Sequence, residues 1–262
     1  MLSCYNLPKM HMLNKQKGQD GQKGQGSTQF NCFSPPVMIA TMLIEVGLLL
    51  YVLWRYKMTT LTRLALVTLL CLATFQLAEY YVCTGTGAMT EPWSRLGFVA
   101  ITALPPLGLH IMHVLAGKRQ RRLVYGAYAT MGAFMAFFLL AANTFTGHEC
   151  TGNYVIFQFT PNVTGLYSIY YFGWLFTSMG LGVRWANELM KAKGKQALTK
   201  LRTVHGLIMC YLVFLVPSAL SMVIRPDARR GIPSILCGFA VLYALILVLY
   251  IMPRAVKRRP RV

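Results

Sequence analysis

The chain has 262 residues, of which 55% are hydrophobic and only 13% are charged, and its mean hydropathy of +0.48 is too high for a soluble protein. In a soluble chain, a net charge of +19 would suggest a nucleic-acid partner. Here the basic residues flank apolar segments, where they meet anionic lipid headgroups. We therefore expect the lipid bilayer as partner and no nucleic acid.

Seven segments are apolar enough to cross a bilayer, for which a helix needs about 20 residues. They cover residues 36–55, 60–83, 95–116, 123–144, 164–186, 203–224 and 232–253. The expected fold class is all-α, a polytopic membrane protein with a seven-transmembrane-helix bundle at 32–254. The polar stretch 1–31 is expected to be a disordered tail, and 255–262 a basic cytoplasmic tail.

The basic residues are distributed unevenly between the connections. Eighteen of the 26 lie in the first, third and fifth connections and at the C-terminus. By the positive-inside rule, this places the C-terminus in the cytoplasm and the N-terminus outside. The expected location is the cell membrane, which is the inner membrane if the host is a diderm bacterium.

Two carboxylates interrupt the apolar segments. Glu45 lies in the first, and Glu79 lies near the outer end of the second, with Gln76 on the same helical face. A charged group at mid-membrane costs at least about 2.5–3.5 kcal/mol, so such residues face the bundle interior or a wet cavity. The spacing predicts a polar cluster in the outer half of the bundle.

The third segment contains the sequence TALPPLG. Pro105 and Pro106 remove two backbone donors and leave carbonyls near Thr102 without their helical partners. Such carbonyls are tolerated at membrane depth when protein or a water-filled cavity satisfies them. The motif therefore indicates either a ligand pocket that includes these three residues or a purely structural kink. In the fifth segment, Tyr167, Tyr170, Tyr171 and Trp174 are expected to form an aromatic belt at the membrane boundary, with pocket lining as the alternative.

Cysteines and histidines offer two further candidate sites. Cys83 and Cys150 both face the outer, oxidising side in this topology and are candidates for a disulfide that anchors the longest outer loop. A metal site formed by these cysteines and His148 is the alternative. His110, His113 and His205 lie at similar depth, where they could bind a haem or a metal, relay protons, or serve as hydrogen-bonded helix-end residues.

Missing residues exclude several seven-helix classes. The seventh segment has no lysine for a Schiff base, so retinal is not expected. The acidic-Arg-Tyr and Asn-Pro-x-x-Tyr motifs of receptors that couple to G proteins are missing. No histidine follows His205, which argues against membrane hydrolases of the ceramidase type.

The sequences Cys32-Phe33-Ser34 and Gln76-Leu77-Ala78-Glu79 resemble motifs of an uncharacterised prokaryotic family of multi-spanning proteins. Its members begin near Cys-Phe-Ser and carry Gln-x-x-Glu at the end of the second helix. About thirty residues precede Cys32 here, which departs from that pattern. The resemblance implies that Cys32, Gln76 and Glu79 act together at the outer face, and it implies no reaction.

Three functional hypotheses follow from these residues. The favoured one is a binding or sensing protein whose outer pocket takes a small cationic or protonatable ligand through Glu45, Gln76 and Glu79, beside the proline kink. The alternatives are a membrane-embedded redox or metal-dependent enzyme that uses the three histidines, and a proton-coupled transporter. Whether the protein is an enzyme stays open, and signalling would require a protein partner on the cytoplasmic face.

Overall fold

The computed structural model describes residues 35–85, 90–118, 121–141, 145–150, 155–159, 161–224 and 232–259. The predicted tail at 1–31 and the end of the basic tail, 260–262, lie outside these residues.

Helices make up almost all of the described chain. They are α1 (Pro35–Arg55), α2 (Thr60–Thr84), α3 (Thr90–Thr102), α4 (Leu104–Ala116), α5 (Arg121–Leu140), α6 (Pro161–Lys191), α7 (Lys195–Ile224), α8 (Ile232–Leu245) and α9 (Met252–Ala255). A π-helical segment, Ile246–Ile251, joins α8 to α9. Since α3 continues into α4 and α8 into α9, these elements form seven long helical segments, and each coincides with one of the predicted spans.

Six of these segments are long and apolar enough to cross a membrane, judged by length and composition within the described residues. They are Pro36–Arg55, Thr60–Thr84, Thr90–Ala116, Arg121–Leu140, Lys195–Leu220 and Ile232–Ala255. The longest helix, α6, is not among them.

The α3–α4 segment lies at the centre of the bundle and α1 and α5 lie at its edge. In the most apolar stretch of each, 78% of the α3–α4 residues are buried, against 17% in α1 and 11% in α5. Large apolar side chains such as Trp54, Leu140 and Val223 are exposed on the outside. This arrangement is typical of a surface that contacts lipid rather than water.

A disulfide-linked β-hairpin covers one end of the bundle. Strands β1 (Phe145–Cys150) and β2 (Val155–Phe159) are antiparallel, and Cys150 forms a disulfide with Cys83 at the end of α2, with the two Cα atoms 5.7 Å apart. Phe157 is buried, with its ring centroid 5.1 Å from that of Phe98.

The predicted disulfide is therefore confirmed, and the all-α prediction holds apart from this hairpin. The hairpin was not predicted because neither strand, FTGHEC or VIFQF, alternates strictly between apolar and polar residues.

Candidate functional site

Two enclosed carboxylates lie on the neighbouring helices α1 and α2. The side chains of Glu45 and Glu79 are 0% and 1% exposed, and the two carboxyl groups lie close enough to interact electrostatically. The short connection between α1 and α2 makes the two helices antiparallel neighbours.

Helix α8 forms the third wall of this site. The Ser234 hydroxyl donates a hydrogen bond to the Glu79 carboxylate, and Cys237, one turn further along α8, is close enough to interact electrostatically with both glutamates. Ser234 and Cys237 are each 1% exposed. Neither residue is predicted for the site by the sequence. Their spacing of three residues in Ser-x-x-Cys places them on one helical face, but this pattern does not show which helix the face meets.

The carboxylates are poorly satisfied within the described part of the chain. Both oxygens of Glu45 and the Oε1 oxygen of Glu79 have no hydrogen-bond partner there. The ion pairs among the described residues use only Glu91 and Glu188, so no described lysine or arginine compensates the buried pair. Two ionised carboxylates in such surroundings are very unfavourable, and the pair therefore requires a proton or a cation.

Gln76 lies one turn before Glu79 on the same buried face of α2, and its side chain is 2% exposed. Gln76 and Glu79 together form a polar surface on the buried side of α2. Glu79 is close enough to Glu45 to interact with it electrostatically.

The proline motif produces a break between α3 and α4 at Ala103, and tyrosines from α6 satisfy it. The Thr102 carbonyl, which loses its helical donor to Pro106, accepts a hydrogen bond of 2.7 Å from the Tyr170 hydroxyl. The Thr102 hydroxyl donates to the Phe98 carbonyl and lies 3.1 Å from the Tyr167 hydroxyl.

These tyrosines do not form the aromatic belt expected from the sequence. Tyr167, Tyr170 and Tyr171 are only 8%, 7% and 8% exposed, because their side chains point into the bundle. The sequence could not separate the two cases, since an interfacial belt and a core position both favour tyrosine.

Gly108, just after the two prolines, allows α7 to approach closely. A β-carbon there would collide with the hydroxyl of Tyr211, which lies 2.8 Å from the Ser178 hydroxyl of α6. Tyrosines of α6 and α7 therefore occupy the space that the kink opens.

A small cavity remains between the kink and the carboxylates. Its volume is about 30 Å³, and it is lined by residues of α2, α4, α6, α7 and α8, with Pro105 on one side and Cys237 on the other. A volume of this size holds roughly two water molecules. The cavity and the carboxylate pair are adjacent because Cys237 belongs to both.

The three histidines have separate surroundings. Nδ1 of His110 lies 3.0 Å from the Tyr128 hydroxyl, and Nδ1 of His113 lies 2.8 Å from the Leu109 carbonyl oxygen. The side chain of His205 is exposed on α7. Within the described residues, no three histidine, cysteine or acidic side chains are placed to hold a metal. Each imidazole of α4 is held by one hydrogen bond, His110 by the Tyr128 hydroxyl of α5 and His113 by the Leu109 carbonyl one turn earlier.

The alternative metal site used Cys83, Cys150 and His148. Its two cysteines form the disulfide, so neither is available as a thiolate ligand. The His148 side chain lies outside the described side chains.

A scan against protein-family models finds no match to this chain, and a search of the curated proteins finds no similar sequence. The chemistry of the buried carboxylates therefore has to carry the functional interpretation.

Proposed function

We propose that this chain is a cell-membrane protein with seven spanning helices, its N-terminus outside and its C-terminus in the cytoplasm. Six helices meet the length and composition required, and α6, with 31 residues, is roughly 46 Å long, which exceeds the apolar thickness of a bilayer. Most basic residues flank one end of the bundle, while the Cys83–Cys150 disulfide closes the other. A disulfide at the end opposite the positive charge agrees with an oxidising exterior.

We infer further that the protein binds or senses a small cationic or protonatable ligand at the Glu45–Glu79 pair. The observation that carries this proposal is the enclosure of two neighbouring carboxylates without a cationic partner among the described residues. Ionisable groups inside a membrane are costly and mark functional sites more often than structural ones.

The closed geometry limits what the site holds in this conformation. The neighbouring cavity of about 30 Å³ takes water but no organic ligand. The charge at the pair is then compensated by a proton, and a larger cation requires the helices to separate. The break at Ala103 and the proline within α7 are places where that movement needs little disruption of helical hydrogen bonds.

Ligand titration of the purified protein tests this proposal. We would measure binding of a panel of primary and quaternary amines in mild detergent for the natural protein and for Glu45→Gln, Glu79→Gln and Glu91→Gln. Glu91, exposed on α3, is the matched control. Loss of amine binding in the two buried variants but not in the control is expected. Equal binding in all four proteins would refute a cation site at the pair.

The second candidate function is proton-coupled transport. The full enclosure of both carboxylates favours it, because a transporter closes its proton site from both sides during the cycle. Liposomes that contain the protein and a pH-sensitive dye should then acidify when a substrate amine gradient is applied, and Glu79→Gln should abolish the response. If amines bind but no protons move, the transport function is refuted and only the binding or sensing function remains.

The proposal also draws on the similarity to the prokaryotic family with Cys-Phe-Ser and Gln-x-x-Glu motifs. This similarity supports a joint role of Gln76 and Glu79 at the outer face. Cys32, the third residue of that motif set, lies outside the described residues.

A further inference from the structure

A second candidate site lies at the opposite end of the bundle, in an open cleft of about 580 Å³. The start of α2, the end of α4, the start of α7 and the short helix α9 surround it. Thr60 in this cleft and Glu79 are 19 positions apart on α2, which corresponds to roughly 28 Å. The cleft is therefore a separate site from the carboxylate pair.

Three cationic side chains line this cleft: Lys195, Lys200 and Arg254. No aspartate or glutamate is among its described lining residues. Glu188, the acidic residue that α6 carries toward this end, is already occupied: a 2.7 Å hydrogen bond from Lys118 and the charge of Arg184 hold its pKa below the usual value. The three cations of the cleft thus have no carboxylate to neutralise them in the described part of the chain.

Arg254 is held in position, and Lys200 lies against the end of α4. The Arg254 guanidinium lies 3.8 Å from the centre of the Tyr250 ring, and its Nη1 donates to the Tyr250 carbonyl at 2.7 Å, which leaves most of its donors for a ligand. The Lys200 ammonium lies over Gly117, where a β-carbon would come within 2.7 Å of Nζ. Gly117 ends α4 with a φ of 68°, a left-handed conformation that favours glycine, so both its backbone and its lack of a side chain suit this contact.

A neutral donor and an apolar surface complete the cleft. The Thr60 hydroxyl and the side chains of Leu61 and Leu115 line it, whereas the Thr199 hydroxyl already donates to the Lys195 carbonyl. Both α2 and α7 begin at the cleft, where the positive ends of their dipoles add to the charge of the side chains, whereas α4 ends there with the negative end of its dipole beside the Lys200 ammonium. Clustered cations with a hydroxyl donor suit the tetrahedral oxygens of a phosphate group, and arginine binds them in a bidentate manner.

We propose that this cleft binds a phosphate-bearing anion through Lys195, Lys200 and Arg254. Two sources share this chemistry: the headgroup of an anionic phospholipid, for which the apolar surface supplies contact with the upper acyl chain, and a free phosphorylated solute from the cytoplasm. The proposal does not depend on the function inferred for Glu45 and Glu79, because the two sites are at opposite ends of the bundle.

The full chain in an uncharged detergent tests this proposal in two arms. In the first, native mass spectrometry measures retention of phosphatidylglycerol against phosphatidylcholine. In the second, calorimetry measures binding of inorganic pyrophosphate. The variants are Lys195→Gln alone and Lys200→Gln with Arg254→Gln. The matched control is Arg121→Gln with Lys191→Gln, two exposed basic residues at the same end that do not line the cleft.

We expect affinity to fall roughly tenfold for Lys195→Gln and further for the double variant, with a change below about twofold in the control, since charged hydrogen bonds carry the binding. Loss confined to the first arm identifies a lipid headgroup, and loss in the second identifies a soluble phosphate compound. An equal decline in the cleft variants and the control would show only diffuse charge attraction and overturn the proposal. Failure to bind either probe would overturn it as well. Lys195 is exposed at the first position of α7, so its variant keeps the test valid if the double variant does not fold.

Discussion

Glu45 and Glu79 differ by one hydrogen bond, and this difference has a measurable consequence. Ser234 donates to Glu79, whereas both oxygens of Glu45 lack a partner among the described residues. Replacing Glu45 with glutamine removes a potential charge from an enclosed site while it keeps the shape of the side chain.

We therefore expect Glu45→Gln to raise the free energy of unfolding of the ligand-free protein by about 2 kcal/mol at pH 9 and by much less at pH 5, where protonation already neutralises the pair. Chemical denaturation in detergent at both pH values measures this. Glu188→Gln is the control, since Glu188 is exposed and stays ionised across this range. A gain of equal size at both pH values would show that charge burial is not the cause.

Tyr170 provides a second prediction at the scale of single residues. Its hydroxyl satisfies the carbonyl that Pro106 deprives of a donor, so Tyr170→Phe leaves the buried Thr102 carbonyl without that hydrogen bond. We expect a loss of about 1–3 kcal/mol in the free energy of unfolding. Tyr125→Phe, at a position that is 67% exposed, should change it by less than about 0.5 kcal/mol. Similar stability of the two variants would mean that water replaces the tyrosine hydroxyl at the kink.

Among the described residues, the disulfide and the Phe157 side chain attach the hairpin to the helices. Phe157 packs near Phe75 and Phe98, with ring centroids 6.1 Å and 5.1 Å away, and the disulfide closes a separation of 67 residues. Cys83→Ser with Cys150→Ser removes the covalent attachment and leaves the aromatic contacts in place. Disulfides typically contribute about 2–4 kcal/mol.

For this double variant we expect faster limited proteolysis within 145–159 and a lower thermal midpoint. Cys71→Ala, a free cysteine within α2, is the control and should leave the proteolysis pattern unchanged. If neither reduction of the disulfide nor its replacement by serines changes the cleavage rate of the hairpin, the Phe157 contacts are sufficient to hold it.

The helices could be predicted from the sequence far better than their contacts. Long apolar runs define a helix whatever its neighbours are, which is why the seven predicted spans coincide with the observed helical segments. Which face of a helix meets which partner depends on packing between distant segments. The buried α6 tyrosines and the Ser234–Cys237 face of α8 therefore could not be placed in advance.

For the two carboxylates, burial could be predicted from the sequence but the neighbouring helices could not. Burial of Glu45 and Glu79 follows from the cost of charge in lipid, and so it could be predicted residue by residue. Their contact with α8 depends on the order of helices around the bundle, and the sequence pattern does not encode that order. The kink was predicted from Pro105 and Pro106, but its filling by tyrosines required the structure.

The orientation of the whole molecule is the last property to test, because both proposed sites depend on it. With the C-terminus in the cytoplasm, Lys257 faces inward and Glu91 faces outward. We expect a membrane-impermeant maleimide to label Glu91→Cys on intact cells and Lys257→Cys only after permeabilisation. The background needs Cys4→Ser and Cys32→Ser, since these residues precede the first span and would react from outside.

The remaining thiols in this background interfere little. Cys210 and Cys237 are buried, Cys71 lies within α2, and Cys83 and Cys150 form the disulfide. The reverse labelling pattern would place the basic cleft outside the cell and the disulfide in the reducing cytoplasm. That result would contradict the positive-inside assignment. It would also remove cytoplasmic phosphate compounds and inner-leaflet lipids as occupants of the cleft formed by Lys195, Lys200 and Arg254.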